Sequence, residues 1–176
     1  MLATVALRAQ YETEHVLVAL GCDEHWTREM TMTSANDSGR PRIVVGVDGS
    51  TSSVAALNWA ARQAEFTGAQ LDAVTAWQWP SKQEWKRTPH DFDPAGDTQK
   101  RVDPIIDNVR SAHPSVSIQS KVVEGRSARV LVEESQGAEL LVVGSRGHGE
   151  FPGMLLGSVS QHCVTSAHCG VVVLRD

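Results

Sequence analysis

The residues best suited to chemistry lie in two neighbouring pieces of the chain. Gly144-Ser145-Arg146-Gly147 directly follows the apolar stretch Ala138–Val143, and Gly157-Ser158-Val159-Ser160 comes after the interval His148 to Leu156. Glycines let a backbone approach a ligand closely and adopt positive φ. Successive backbone N–H groups, together with the N-terminus of a helix beginning near Gly157, suit a polyphosphate. That helix end supplies roughly half a positive charge, which favours anions. Ser158 and Ser160 offer hydroxyl donors to phosphate oxygens, and Arg146 offers a charge-assisted hydrogen bond. Asp48-Gly49-Ser50 closes the earlier run Ile43–Val47. Phosphate would repel Asp48, so its place is at the sugar or base end, accepting from a ribose hydroxyl.

Each piece also has a plainer use. Gly144 can be a post-strand turn, Gly157-Ser158 a helix cap and Asp48 a cap of the first helix. The full set together favours a binding site. Two familiar phosphate motifs are missing. The place of a dinucleotide fingerprint reads Gly46-Val47-Asp48-Gly49-Ser50-Thr51, and no G-x-x-x-x-G-K-[S/T] occurs.

Catalysis has little to work with. His148 is the one titratable candidate beside the glycine loop, and it reads first as a solvent-facing loop residue, second as a ligand contact. His162 and His168 read as surface residues, and the adjacent Glu133 and Glu134 project apart rather than forming a dyad. No nucleophile–His–acid arrangement is visible, so the expectation is binding with at most weak hydrolysis of the ligand. His15, Cys22 and His25 match no strong zinc spacing, and no metal centre is expected.

The elements that must position these residues follow from periodicity. Ile43–Val47 is β-branched and apolar, as in a strand buried on both faces. Ser52 to Thr67 reads as a helix with Ala55, Ala56, Trp59, Ala60 and Ala64 on one side, stopped by Gly68. Leu71 to Trp77 is a second strand. Trp79 to Asp97 reads as a long polar loop, suited to a lid. Val102 to Arg110 is helical, with Pro104 marking its first turn or bending its start.

Val116 to Val123, Leu140–Val143 and Val171–Leu174 read as further strands. Helices over Ser127 to Gln136 and Ser158 to Thr165 alternate with them. Five strands alternating with four helices predict an α/β fold, a Rossmann-like doubly wound parallel sheet with helices on both faces. Ligands of such sheets bind beyond the carboxyl ends of strands where the strand order reverses. The loops after Val47, Ala76-Trp77 and Val143 should meet there.

Residues 1–40 differ from the rest. Val16–Leu20 fits one short strand, and Ser34 to Pro41 reads as a flexible lead-in. The expectation is either an upstream segment outside the true start, at Met30 or Met32, or a weakly ordered extension; the domain proper spans 41–176.

Composition narrows the class. With 176 residues the chain can bury a real core, and 41% hydrophobic with 21% charged residues is ordinary for a globular domain. A net charge of −5 without a Lys/Arg stripe excludes non-specific nucleic-acid binding. No run approaches the length of a membrane-spanning helix, and no secretory signal is visible. Cys22, Cys163 and Cys169 form neither a CxxC pair nor a disulfide framework, which suits buried thiols in a reducing, cytoplasmic setting.

Over about residues 41–176 the sequence resembles the universal stress protein family. Its ATP-binding members carry G-xx-G, nine residues, then G-[S/T]. Gly144-Ser-Arg-Gly147, His148 to Leu156 and Gly157-Ser158 match that pattern without a gap. Val45-Gly46-Val47-Asp48-Gly49-Ser50 resembles the family's first strand and its aspartate, and the C-terminal part resembles actinobacterial members.

The resemblance implies ATP as cofactor, with Mg²⁺ as its accompanying ion. It implies adenosine held at Asp48 and Ala76. Phosphates would lie at Gly144, Gly147, Gly157, Ser158, Val159 and Ser160, and Gly49, Ser50, Val143, Arg146 and His148 are further expected cofactor-binding residues. It further implies a cytoplasmic stress-response regulator, a homodimer through the last strand, Val171–Leu174, and an unidentified regulatory protein partner. The alternatives are a structural dimerisation module that binds no nucleotide and an enzyme with slow ATPase or adenylyl-transfer activity. Against the latter, no H-x-G-H or S-G-G-x-D follows Val47. Gly170 stands where the family often has a proline before the last strand.

Overall fold

A computed structural model describes residues 15–19, 40–79, 92–147 and 156–175. The sheet has six strands: β1 (His15–Ala19), β2 (Arg42–Gly46), β3 (Gln70–Trp77), β4 (Ile118–Glu124), β5 (Leu140–Gly144) and β6 (Gly170–Arg175). Their spatial order is β1-β6-β5-β2-β3-β4. The five strands from β2 to β6 run parallel, as the alternation of elements predicts. The sixth, β1, lies antiparallel on β6, with Leu17 opposite Val173.

Among the described residues four helices cover the sheet: α1 (Thr51–Thr67), α2 (Pro94–Ala112), α3 (Ser127–Glu134) and α4 (Ser158–Ser166). Alternating strand residues serve two separate cores. Ile43, Val45, Val142 and Val172 pack with Ala56, Leu57, Ala60 and Ala61 of α1 and with Val102 and Ile106 of α2. Val44, Leu141, Val143, Val171 and Val173 pack on the other face with Val130 and Leu131 of α3 and Cys163 of α4. Helix α1 is rich in alanine, so its axis can lie close to the sheet. Its buried face includes Leu57 and Ala61, while Ala55 and Trp59 are only partly covered. Gly68 ends it in the left-handed conformation, φ 72°.

Helix α2 departs from expectation. It begins at Pro94, not Val102, and Pro104 sits inside it. The start signal is Asp93, whose Oδ1 accepts from the Gly96 N–H at 3.0 Å, followed by proline at the first helical position. Residues 94–97, at the end of the stretch expected as loop, are therefore helix; residues 80–91 lie outside the described residues. Of the lead-in expected over Ser34 to Pro41, all but Arg40 and Pro41 also lies outside them.

A charge cluster ties the amino end of the sheet together. Asp72 is buried and meets Lys121 at 2.8 Å and Arg42 at 3.2 Å. Lys121 also reaches Glu134 at 3.2 Å, and Arg42 donates to the carbonyls of Glu134 and Gln136. Burial works against the Asp72 charge, but hydrogen bonds from Lys121, Gln70 and Arg42 outweigh it and hold the carboxyl below its ordinary range. Its stabilising effect is complete above the unfolded-state value of about 3.9 and is lost as pH falls through the lower folded value. Asp72→Asn leaves Lys121 and Arg42 without their buried counter-charge, and the expected loss at neutral pH is about 3 kcal/mol. Denaturant titrations at several pH values check this: the gap to the parent protein should narrow below about pH 4.

Candidate functional site

The strand order reverses at β2, which has β3 on one side and β5 on the other. A crevice opens beyond the carboxyl ends of these strands, as the doubly wound topology dictates. Its volume is about 220 Å³. Lining it are Asp48 after β2, Ala76 of β3, Val143 and Gly144 of β5, Arg146 and Gly147 after β5, and Gly157 to Ser160 at the start of α4.

The turn from β2 to α1 is built by its own side chains. Asp48 Oδ1 accepts from the Ser50 N–H at 2.9 Å and from the Ser50 hydroxyl at 2.6 Å. Ser50 is the N-cap of α1. The Ser53 hydroxyl accepts from the Asp48 and Gly49 N–H groups and donates to the Ser50 carbonyl. Gly49 has φ 89°, the left-handed conformation that this tight turn needs. Gly49 and Ser50 thus hold Asp48 in place and do not line the crevice themselves. The second Asp48 oxygen faces Gly147, where an added Cβ would lie 2.7 Å from it.

The glycines after β5 have a different reason from the one the sequence suggests. None of Gly144, Gly147 or Gly157 has positive φ. A Cβ on Gly144 would lie 2.6 Å from the Ser52 hydroxyl and 2.8 Å from the Ser52 carbonyl carbon. Gly144 is therefore a point of close approach between β5 and α1, not open space beside a ligand. The Ser52 hydroxyl then donates to the Arg146 carbonyl and pins the loop after β5 to α1.

That loop is closed at its base. The Gly157 N–H donates to the Ser145 carbonyl at 2.7 Å. The Ser160 hydroxyl donates to the Ser145 or the Gly157 carbonyl, at 3.0 and 2.9 Å. Ser160 is buried, and its one proton is committed to bracing the loop rather than to a ligand. Gly157 is the N-cap of α4 and supplies no side-chain cap, and the helix has no acidic residue in its first turn. Ser158 and Val159, in this first turn without a capping side chain, line the crevice. Arg146 is exposed at its rim.

The structure thus brings Asp48, Ala76, Val143, Gly144, Arg146, Gly147, Gly157, Ser158, Val159 and Ser160 to one crevice. His148 lies outside the described residues. Sequence reasoning did not place Gly46, Val47, Ser53, Val74, Ser127 and Leu131 in the site, and they also line it. Ser53 was detectable as a possible turn-bracing serine just after the N-cap. Ser127 and Leu131 come from α3, where no spacing links them to the glycines.

Asp48 and Arg146 are the ionisable side chains among the described lining residues. Glu133 pairs with Arg129 and Glu134 with Lys121, so they form no dyad. His162 and His168 are exposed, as expected. No group of three His, Cys, Asp or Glu among the described residues is placed to hold a metal. Cys163 and Cys169 are free and buried, and burial pushes each thiol up to about 11.

Parallel strands, helices on both faces and a crevice at the reversal of strand order define a doubly wound α/β domain. The sequence profile described as Universal stress protein family matches residues 39–175. The chain belongs to the universal stress protein family. Universal stress protein Rv2623 of Mycobacterium tuberculosis is 35% identical over 156 residues, 82% of this chain and 50% of its own length. A universal stress protein of Mycolicibacterium smegmatis is 33% identical over 150 residues, 81% of this chain and 48% of its own. The chain spans about half the length of these curated relatives.

Among solved structures, a universal stress protein in complex with cAMP has a TM-score of 0.60 at 28% identity, over 78% of this chain and 98% of that one. UspA from Lactobacillus plantarum has a TM-score of 0.61 at 18% identity, over 78% and 100%, a likeness in fold.

The different roles of two glycines can be separated. Gly144→Ala forces α1 away from β5 and should cost about 1–3 kcal/mol. At Gly157 an added Cβ meets nothing nearer than the Ser145 carbonyl oxygen at 3.4 Å, so Gly157→Ala should leave stability within roughly 1 kcal/mol of the parent. Chemical denaturation of both variants checks the contrast.

Proposed function

We propose that this chain binds ATP in the crevice and acts as a nucleotide-dependent regulator in a stress response. The observation that carries the reading is the convergence of Asp48 with the uncapped start of α4 on one crevice. The residues suit an adenine nucleotide. Asp48 brings a carboxylate to the crevice, a group suited to a ribose hydroxyl. Ala76, Val143 and Leu131 give apolar wall. The N–H groups of Ser158 and Val159, with Arg146 at the rim, supply donors and positive potential for phosphates. Mg²⁺ would be carried on the phosphates, with Asp48 the nearest carboxylate among the lining residues.

The reading is one of binding. Hydrolysis calls for a positioned base or an oriented water, and the described lining residues include no histidine. Free buried thiols suit a reducing compartment, which supports a cytoplasmic setting; among the described residues no helix is long and apolar enough to cross a membrane. A homodimer through Val171–Leu174 enters this reading only for a chain whose β6 edge is open, because β1 covers that edge here. A second reading, cAMP in the same crevice, is favoured by one observation, the 28% identical relative in complex with cAMP.

Calorimetric titration tests the proposal. Mg-ATP should bind the nucleotide-free protein saturably, and Asp48→Ala should weaken it about tenfold, roughly 1.4 kcal/mol. The absence of saturable binding up to about millimolar Mg-ATP, equivalent to weaker than roughly 4 kcal/mol, would overturn it. Tighter binding of cAMP than of Mg-ATP would select the second reading.

A further inference from the structure

One wall of the crevice comes from outside the glycine motif. Ser127 and Leu131 line it from α3. Four residues apart on a helix, they share one face, about one turn from each other. Helix α3 joins β4 to β5, which run parallel, so it starts at the carboxyl end of the sheet and runs back. Ser127 therefore stands nearer the opening and Leu131 one turn deeper.

Leu131 closes the slot from below. It is buried in the core with Val44, Val74 and Val143. A Cβ on Gly46 would lie 2.9 Å from Leu131 Cδ1, so Leu131 sits on the end of β2 where that strand lacks a side chain. With Val74, Ala76 and Val143 at the neighbouring strand ends, this part of the crevice is apolar. Such surfaces suit the flat faces of a base and not its polar edge.

Ser127 brings a hydroxyl to that wall, and its position is fixed from both sides. Two residues before it, the Gly125 N–H donates to the Trp77 carbonyl at 2.8 Å, directly after Ala76. Gly125 has φ 144°, and an added Cβ there would lie 2.8 Å from Val130 Cγ2, so the chain entering α3 is held tightly against the helix. The helix does not use the Ser127 hydroxyl as its cap, since the N-cap is Arg126 and no side chain caps α3. Other serines of the crevice are placed differently. Ser53 and Ser160 donate to backbone carbonyls, and Ser158 opens α4.

We propose that Ser127 determines base specificity: its Oγ accepts a hydrogen bond from the exocyclic amine of adenine. The proposal rests on the reading of the crevice as an adenine-nucleotide site. That amine is the one N–H donor on the base of a nucleotide, and leaving it without an acceptor against an apolar wall is costly. Asp48 is assigned to the ribose, and Leu131 blocks deeper entry. A hydroxyl both donates and accepts, so Ser127 tolerates a carbonyl at the same place. The discriminating ligand is a purine with neither group.

Calorimetric titration of the full chain compares Mg-ATP with the Mg complex of purine ribonucleoside 5′-triphosphate, which carries hydrogen in place of the amine. The parent should bind Mg-ATP about tenfold more tightly. In Ser127→Ala, Mg-ATP should weaken about tenfold while the analogue binds as it does to the parent, so that the two become equal. Equal affinities in the parent would overturn the proposal, as would a variant that retains the parent's preference for Mg-ATP. A variant that weakens both ligands alike would overturn it too, because that loss does not depend on the amine. A parent that binds neither ligand would overturn the nucleotide reading itself, and this proposal with it.

Discussion

The site depends on the absence of a side chain at Gly144. There β5 and the first turn of α1 come so close that a methyl group would strike the Ser52 backbone. This contact brings the Ser52 hydroxyl to the Arg146 carbonyl and so fixes where the loop after β5 departs. It also sets the distance between that loop and the Asp48 turn, because Ser50 and Ser53 lock Asp48 to the same end of α1. The two halves of the crevice are thus positioned from one helix end. The start of α4 is added to them by the Ser145 carbonyl, which accepts from Gly157 and Ser160.

The two ends of the sheet have opposite characters. At the amino end, Arg42, Asp72, Lys121 and Glu134 neutralise one another within a few ångströms. Buried charge there is tolerable only because it is paired and hydrogen-bonded. At the carboxyl end, the N–H groups of α4 and the Arg146 side chain leave positive potential facing a crevice. One end is saturated internally, and the other offers donors. Such a division lets a ligand bind without disturbing what aligns β2, β3 and β4.

How much of this the sequence revealed varies with the distance over which each signal acts. The β-branched runs Ile43–Val45 and Leu140–Val143 announced buried parallel strands, because burial on both faces removes the need for polar alternation. The crevice followed from topology together with local glycine and serine spacing. The start of α2 was misplaced because Pro104 reads as a start signal, although Asp93-Pro94 carries the better one. The place of Gly144 against Ser52 was illegible, since no local pattern records which helix a strand end will touch. The same holds for Ser127 and Leu131, which reach the crevice from α3. A short strand over Val16–Leu20 was visible in outline, but five apolar residues do not specify which edge they join or in which direction.

The pairing of β1 with β6 has a consequence for how the chain is made. Residues 15–19 are synthesised well before their partners, 171–175. Contacts between such distant segments form late, because the intervening chain must be ordered before the loop between them is closed at acceptable entropy. During elongation β1 therefore waits unpaired while β2 to β5 assemble beside one another. β1 precedes the five parallel strands in synthesis yet pairs only after β6 exists, and the parallel core must form without it.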